Sequence, residues 1–165
     1  MAISSVVKNF RDGTLAIEDG TGTPISMTLQ YEAGDFSLSG LTEGQTEIVA
    51  YWDRGALCTL RKTQDAHATF SFTAHMTDLS DSTEKCLLDV VNKTGAWSSG
   101  VSTRGANSDV WTTKITLTIE GSDHGDGGGD HVITLDDCYM SLDLSEGDPN
   151  SFSISGTVYG TQNFT

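Results

Sequence analysis

Hydrophobic and polar residues alternate with a period of two along much of the chain. In "DVWTTKITLTIEG", Trp111, Ile115, Leu117 and Ile119 fall on one side, and Thr112, Lys114, Thr116, Thr118 and Glu120 on the other. A pleated strand sends alternate side chains to opposite faces, so this segment predicts a half-buried strand. "HATFSFTAHM" repeats the pattern, with Ala68, Phe70, Phe72, Ala74 and Met76 inward and His67, Thr69, Ser71, Thr73 and His75 outward. "TLAIED", "ISMTLQY", "DFSLSGL", "TEIVAYW", "ALCTLRK" and "SFSISGTVYG" read as further strands, which brings the set to about eight.

Two segments depart from plain alternation. In "HVITLDDCYMSLDL", Ile133 and Leu135 occupy odd positions, whereas Cys138, Met140, Leu142 and Leu144 occupy even ones. One strand face cannot hold both sets unless an extra residue is inserted, so a β-bulge is expected at Asp136–Asp137. In "SDSTEKCLLDVVNKTG", Asp81 precedes Glu84 by three residues, and Cys86, Leu87, Val90 and Val91 recur at helical spacing. This predicts a helix over 81–94, started by a capping-box variant and closed by Lys93 and Gly95. The predicted fold is mainly β: a sandwich or half-barrel of about eight strands with one flanking α-helix.

A length of 165 residues suits one domain, 1–165. The start, "MAISSVVKNFRDG", lacks the pattern of a signal peptide, and no apolar run is long enough to anchor the chain in a bilayer as a helix. Cys58, Cys86 and Cys138 are odd in number and far apart, which predicts reduced, buried thiols. The net charge is −14, and no lysine or arginine follows Lys114. A chain this acidic does not clamp nucleic-acid phosphates, because such binding needs cations that displace counterions.

The chemically suggestive stretch is "GSDHGDGGGDH", 121–131. An EF-hand places acids two residues apart ahead of a glycine, but here the position two residues after Asp123 is Gly125. His124 and His131 lack paired zinc-ligand spacing. The stretch is therefore expected to be a flexible hairpin tip, with no metal and no cofactor. His67 and His75 lie eight residues apart on one predicted strand, roughly 26 Å, and cannot share a ligand. Trp52, Trp97 and Trp111 are expected in core or interface packing. No catalytic motif is present, so no catalytic residue is assigned.

The order of elements is familiar at "DGTLAIEDGTG", and again where the turn Asp53–Arg54–Gly55 joins "YWDRGALCTLRK" to "HATFSFTAHM". From about Asn9 to Gly160 the chain resembles the major tail tube proteins of long-tailed bacteriophages. That resemblance implies hexameric rings stacked into a hollow tube around a tape-measure protein. Tail terminator and distal tail proteins would be further partners. Phage DNA would pass through the lumen unbound, in a virion tail assembled in the host cytoplasm.

Within that picture, 31–45 is a candidate stacking loop with Phe36, Leu38 and Leu41 at its apolar centre. The arm 1–10 is a second candidate, through Ile3, Val6, Val7 and Phe10. Asp136, Asp137 and Asp143 are candidates for an acidic lumen wall. Alternatives are a tube ring of a contractile tail or secretion system, a carbohydrate-binding or decoration β-sandwich, and, with least support, a glycosidase-like enzyme.

Overall fold

The structure, a computed structural model, describes residues 13–29, 35–41, 47–64, 67–105, 108–120 and 129–165. The stacking-arm candidates Ile3, Val6, Val7 and Phe10, and most of the 121–131 stretch, lie outside them. The strands are β1 (Gly13–Glu18), β2 (Ser26–Thr28), β3 (Ser37–Ser39), β4 (Glu47–Asp53), β5 (Ala56–Gln64), β6 (Ala68–His75), β7 (Thr113–Ile119), β8 (His131–Ser145), β9 (Ser151–Val158) and β10 (Gln162–Phe164). One helix, α1 (Leu87–Asn92), sits between β6 and β7.

Eight strands form one antiparallel sheet in the order β2-β1-β7-β8-β9-β6-β3, with β10 on β8. Strands β4 and β5 form a separate hairpin. The mainly β architecture, with a single flanking α-helix among the described residues, is the one the sequence pattern predicts. The alternation also fixes which face is covered. Leu15, Ile17, Phe70, Phe72, Ile115, Leu117, Phe152 and Ile154 are all buried, on the face that packs against Leu87, Val90 and Trp97.

The phase change in β8 is a bulge. Ile115 pairs with Leu135 and Thr113 with Cys138, so Asp136 and Asp137 together oppose Lys114. Asp137 takes a positive φ of 52° there. The extra residue keeps Leu135, Cys138 and Met140 in one core.

The helix is shorter than the expected 81–94. The Asp81 carboxylate accepts from the Thr83 and Glu84 N–H groups at 2.6 and 2.9 Å, which closes a turn ahead of the helix. The chain becomes helical only after Cys86, whose backbone is extended. Lys93 ends it in the left-handed conformation, φ 54°, and Gly95–Trp97 adds a 3₁₀ turn. The Asp89 carboxylate, fully buried, ties these pieces together by accepting from Ser80 Oγ (2.8 Å), the Asp81 N–H (3.0 Å) and Thr94 Oγ1 (2.6 Å). Buried charge is tolerated only when paired or hydrogen-bonded in this way.

Candidate assembly surfaces

Two surfaces stand out, and neither is a cleft with reactive groups. The first is the β4–β5 hairpin. Its turn, Arg54–Gly55, has positive φ at both residues (50° and 86°), the geometry that matches the twist of a two-residue hairpin. Ile48, Tyr51, Trp52, Leu57 and Leu60 are exposed, Trp52 at 64%. Val49 pairs with Arg61 and Tyr51 with Thr59 on one face, and Ile48 pairs with Lys62 and Ala50 with Leu60 on the other. Apolar side chains therefore project from both faces. An isolated two-stranded hairpin is marginal in water, and each large apolar side chain left in solvent forgoes about 1.5–3 kcal/mol of burial. The structure thus presents an element that a partner surface would stabilise.

Its signal in the sequence was visible but ambiguous. "EIVAYW" is a continuous apolar run, the same pattern that a doubly buried strand gives. Cys58 lies on this hairpin and is exposed, contrary to the expectation of three buried thiols, because β5 has no core to face. Cys86 and Cys138 are buried, and burial pushes the Cys138 thiol up to about 12. Trp97 is fully buried. Trp111 packs on the core and donates its indole N–H to the Val90 carbonyl at 2.6 Å.

The second surface is the outer face of β3, β6, β9 and β8. Cross-strand register sets hydroxyls in rows: Ser39, Thr69, Thr157 and Tyr139 in one, and Ser37, Ser71, Ser155 and Ser141 in the next. A third row holds Thr73, Ser153 and Asp143. Ser141 Oγ and Ser155 Oγ are hydrogen-bonded at 3.0 Å. Gly156, between Ser155 and Thr157, falls on the opposite, core side, where a Cβ would meet the Phe70 ring and the Tyr139 carbonyl. Asp143 is the carboxylate on this lattice, and no lysine or arginine belongs to these rows.

The other acids named for a lumen wall are placed differently. Asp137 is nearly buried, accepting from Thr103 Oγ1 at 2.9 Å and pairing with Arg104 Nη1 at 3.0 Å. Its charge is spent inside the subunit, because the bulge that reconciles the core also turns this side chain toward the 102–105 segment. Asp136 accepts from Thr161 Oγ1 at 2.7 Å, and its carbonyl accepts from the Gly160 N–H. The stacking-loop residues divide as well. Phe36 stacks on Phe72 with ring centroids 6.2 Å apart, and Phe36 and Leu38 both pack against the core, while Leu41 is exposed. Phe36 and Leu38 thus hold the edge strand β3 onto β6.

A cleft of about 530 Å³ near the root of the hairpin is lined by His67, Arg104, Asp137, Tyr139 and Tyr159 among others. The His67 and Tyr159 rings meet at 4.7 Å. Among the described residues no three potential metal-ligating side chains converge, and no helix is long and apolar enough to cross a membrane.

Solved structures match this arrangement along the whole chain. A chain of the sheath/tube terminator of the PVC extracellular contractile injection system, in its extended state, superposes with a TM-score of 0.61 at 12% identity, covering 99% of each chain. The chain shares its fold. A chain of the PVC sheath-tube complex in the extended state also gives 0.61 at 11% identity, over 98% of this chain and 93% of that one. The tube-terminating cap of the anti-feeding prophage gives 0.56 at 11% identity, over 100% and 94%. No family model matches the sequence, and no curated protein does.

Proposed function

We propose that this chain is a structural, non-enzymatic subunit of a tail tube, closing with copies of itself into a ring whose bore conducts cargo. The observation that carries the reading is the end-to-end likeness of fold to chains from tube, sheath-tube and tube-terminating assemblies. Six copies per ring, stacking of rings around a tape-measure protein, and contact with terminator and distal tail proteins follow from the resemblance to phage tail tube proteins. So does a place in a virion-type tail assembled in the host cytoplasm.

In this reading the hydroxyl lattice of β3, β6, β9 and β8 lines the bore. A hydroxyl wall stays hydrated, and the absence of cations from it gives DNA phosphates nothing to exchange counterions for. Asp143 adds local repulsion that salt confines to roughly 8 Å of the wall. The hairpin, Leu41 and the N-terminal arm supply contacts between copies.

Whether the tail is the non-contractile phage type or a contractile injection type is the finer question. The likeness to chains of the PVC contractile injection system favours the contractile type. A second reading has its own support: two of the three likenesses are to assemblies that terminate a tube, and in that reading the ring caps a tube without repeating along it. Native mass spectrometry of concentrated protein tests ring closure. A species at six times the 17.6 kDa subunit is expected, and a purely monomeric protein at high concentration would refute it.

A further inference from the structure

We propose that the cleft between His67, Arg104, Tyr139 and Tyr159 is a saccharide-binding site, taking a neutral pyranose ring of an oligosaccharide. The inference concerns the single subunit and stands apart from the tube reading.

The β-bulge builds this cleft. The core needs one inserted residue at 136–137, but it does not need a carboxylate, and glycine meets a positive φ at least cost. Asp137 stands there instead, at φ 52°. Its backbone carbonyl accepts from the Tyr159 N–H at 3.1 Å and so fixes one wall. Its carboxylate accepts from Thr103 Oγ1 at 2.9 Å and from Arg104 Nη1 at 3.0 Å. Thr103 Oγ1 in turn lies 3.0 Å from Thr112 Oγ1, which is in the cleft wall. Arg104 is thus held through one nitrogen, while its side chain stays 54% exposed. Bulges re-aim side chains beside binding sites in this way.

The groups presented are balanced in charge and mixed in hydrogen bonding. Arg104 and Asp137 cancel. A guanidinium only donates and a carboxylate only accepts, whereas phenol hydroxyls and an imidazole do both. The Tyr139 and Tyr159 hydroxyls, the His67 ring nitrogens and the remaining Arg104 N–H groups have no partner among the described residues. Both tyrosines are half exposed, and the His67 ring steadies Tyr159. Sugar hydroxyls donate and accept, and the C–H faces of a pyranose are apolar, so flat aromatic walls beside such groups are its complement. The volume of about 530 Å³ suits a small ligand. An anionic sugar would face the Asp137 carboxylate in a chain of net charge −14, which favours a neutral one.

The site extends beyond one ring. Tyr139 also lines a neighbouring shallow cleft of about 460 Å³ over the hydroxyl lattice, with Ser37, Thr69, Ser155 and Thr157 among its walls. A second and third sugar would meet hydroxyls there, so the ligand is an oligosaccharide.

Fluorine NMR of the full-length protein carrying fluorotyrosine tests this, with maltohexaose, cellohexaose and the chitin hexasaccharide as probes. At least one should shift the Tyr139 and Tyr159 signals saturably. The signal of Tyr51, exposed on the hairpin, should stay in place. Tyr139→Ala, on an exposed position, and Arg104→Lys, which keeps the charge beside Asp137, should each weaken binding by on the order of tenfold. Tyr139→Ala should leave the melting temperature unchanged. No saturable shift with any probe up to about 10 mM would overturn the inference, as would equal shifts at Tyr51 or binding that ignores both substitutions. Trigalacturonate that binds as tightly as the neutral sugars would also overturn it, because the site would then be a plain anion site.

Discussion

The carboxylate of Asp89 lies against the α-carbon of Gly95, with no room between them for even a methyl group. Gly95 also takes a positive φ of 50°, a conformation that a side chain disfavours. Gly95→Ala should therefore destabilise the subunit by about 2–4 kcal/mol, from overpacking and backbone strain together. Urea unfolding checks this, and a change within error of zero would mean that the 78–97 segment does not clamp the helix as described.

Acid sensitivity follows from the same carboxylate. Burial pushes Asp89 up, but hydrogen bonds from Thr94, Ser80 and the Asp81 N–H outweigh it and hold the group below the usual carboxylate range. Asp81 is held at about 2 by the Glu84 and Thr83 N–H groups and the Thr83 hydroxyl. An unfolded aspartate titrates near 3.9, so at low pH the unfolded chain binds more protons than the folded one. The stability these groups contribute is complete above roughly pH 5 and is lost as pH falls through 4 toward 2. Asp89→Asn should lower the melting temperature at pH 7 and narrow the difference between pH 7 and pH 3. A melting temperature for the unaltered protein that is no lower at pH 3 than at pH 7 would contradict the assignment.

Thiol reactivity reads out the hairpin. In dissociated protein Cys58 should react with a thiol reagent at the rate of an exposed cysteine. Cys86 and Cys138 should wait for unfolding, since both are buried and their pKa values are raised. Assembly should protect Cys58. Fast modification of more than one thiol in folded protein would place the core differently.

The bore should respond to added cations. Ser71→Lys with Ser155→Lys places ammonium groups in the hydroxyl lattice without touching the core face. Assembled tubes of this variant should retain double-stranded DNA fragments in low salt and release them as salt rises, whereas unaltered tubes retain none. Equal retention by both would mean that the lattice faces away from the bore.

Much of this fold was legible in the sequence, because a period of two is a direct image of a half-buried strand. The clash of odd and even apolar positions around Asp136–Asp137 even located the bulge. The helix boundary was not legible: Asp81 and Glu84 have the spacing of a cap, but the Asp81 carboxylate closes a separate turn. The burial of Asp137 depends on Arg104, 33 positions away in sequence, and no local pattern encodes that meeting. The hairpin was mistaken for ordinary sheet because an apolar run does not say whether its cover belongs to the same chain. Phe36 and Leu38, read as a stacking surface, pack on their own core for the converse reason.

A cryo-electron-microscopy reconstruction of the assembled protein tests the central claim most directly. The account predicts closed rings with an open bore, the side chains of Ser71, Ser141 and Ser155 facing that bore, and the Trp52 hairpin reaching a second copy. Particles with no bore, or rings with the hydroxyl lattice on their outer surface, would contradict it.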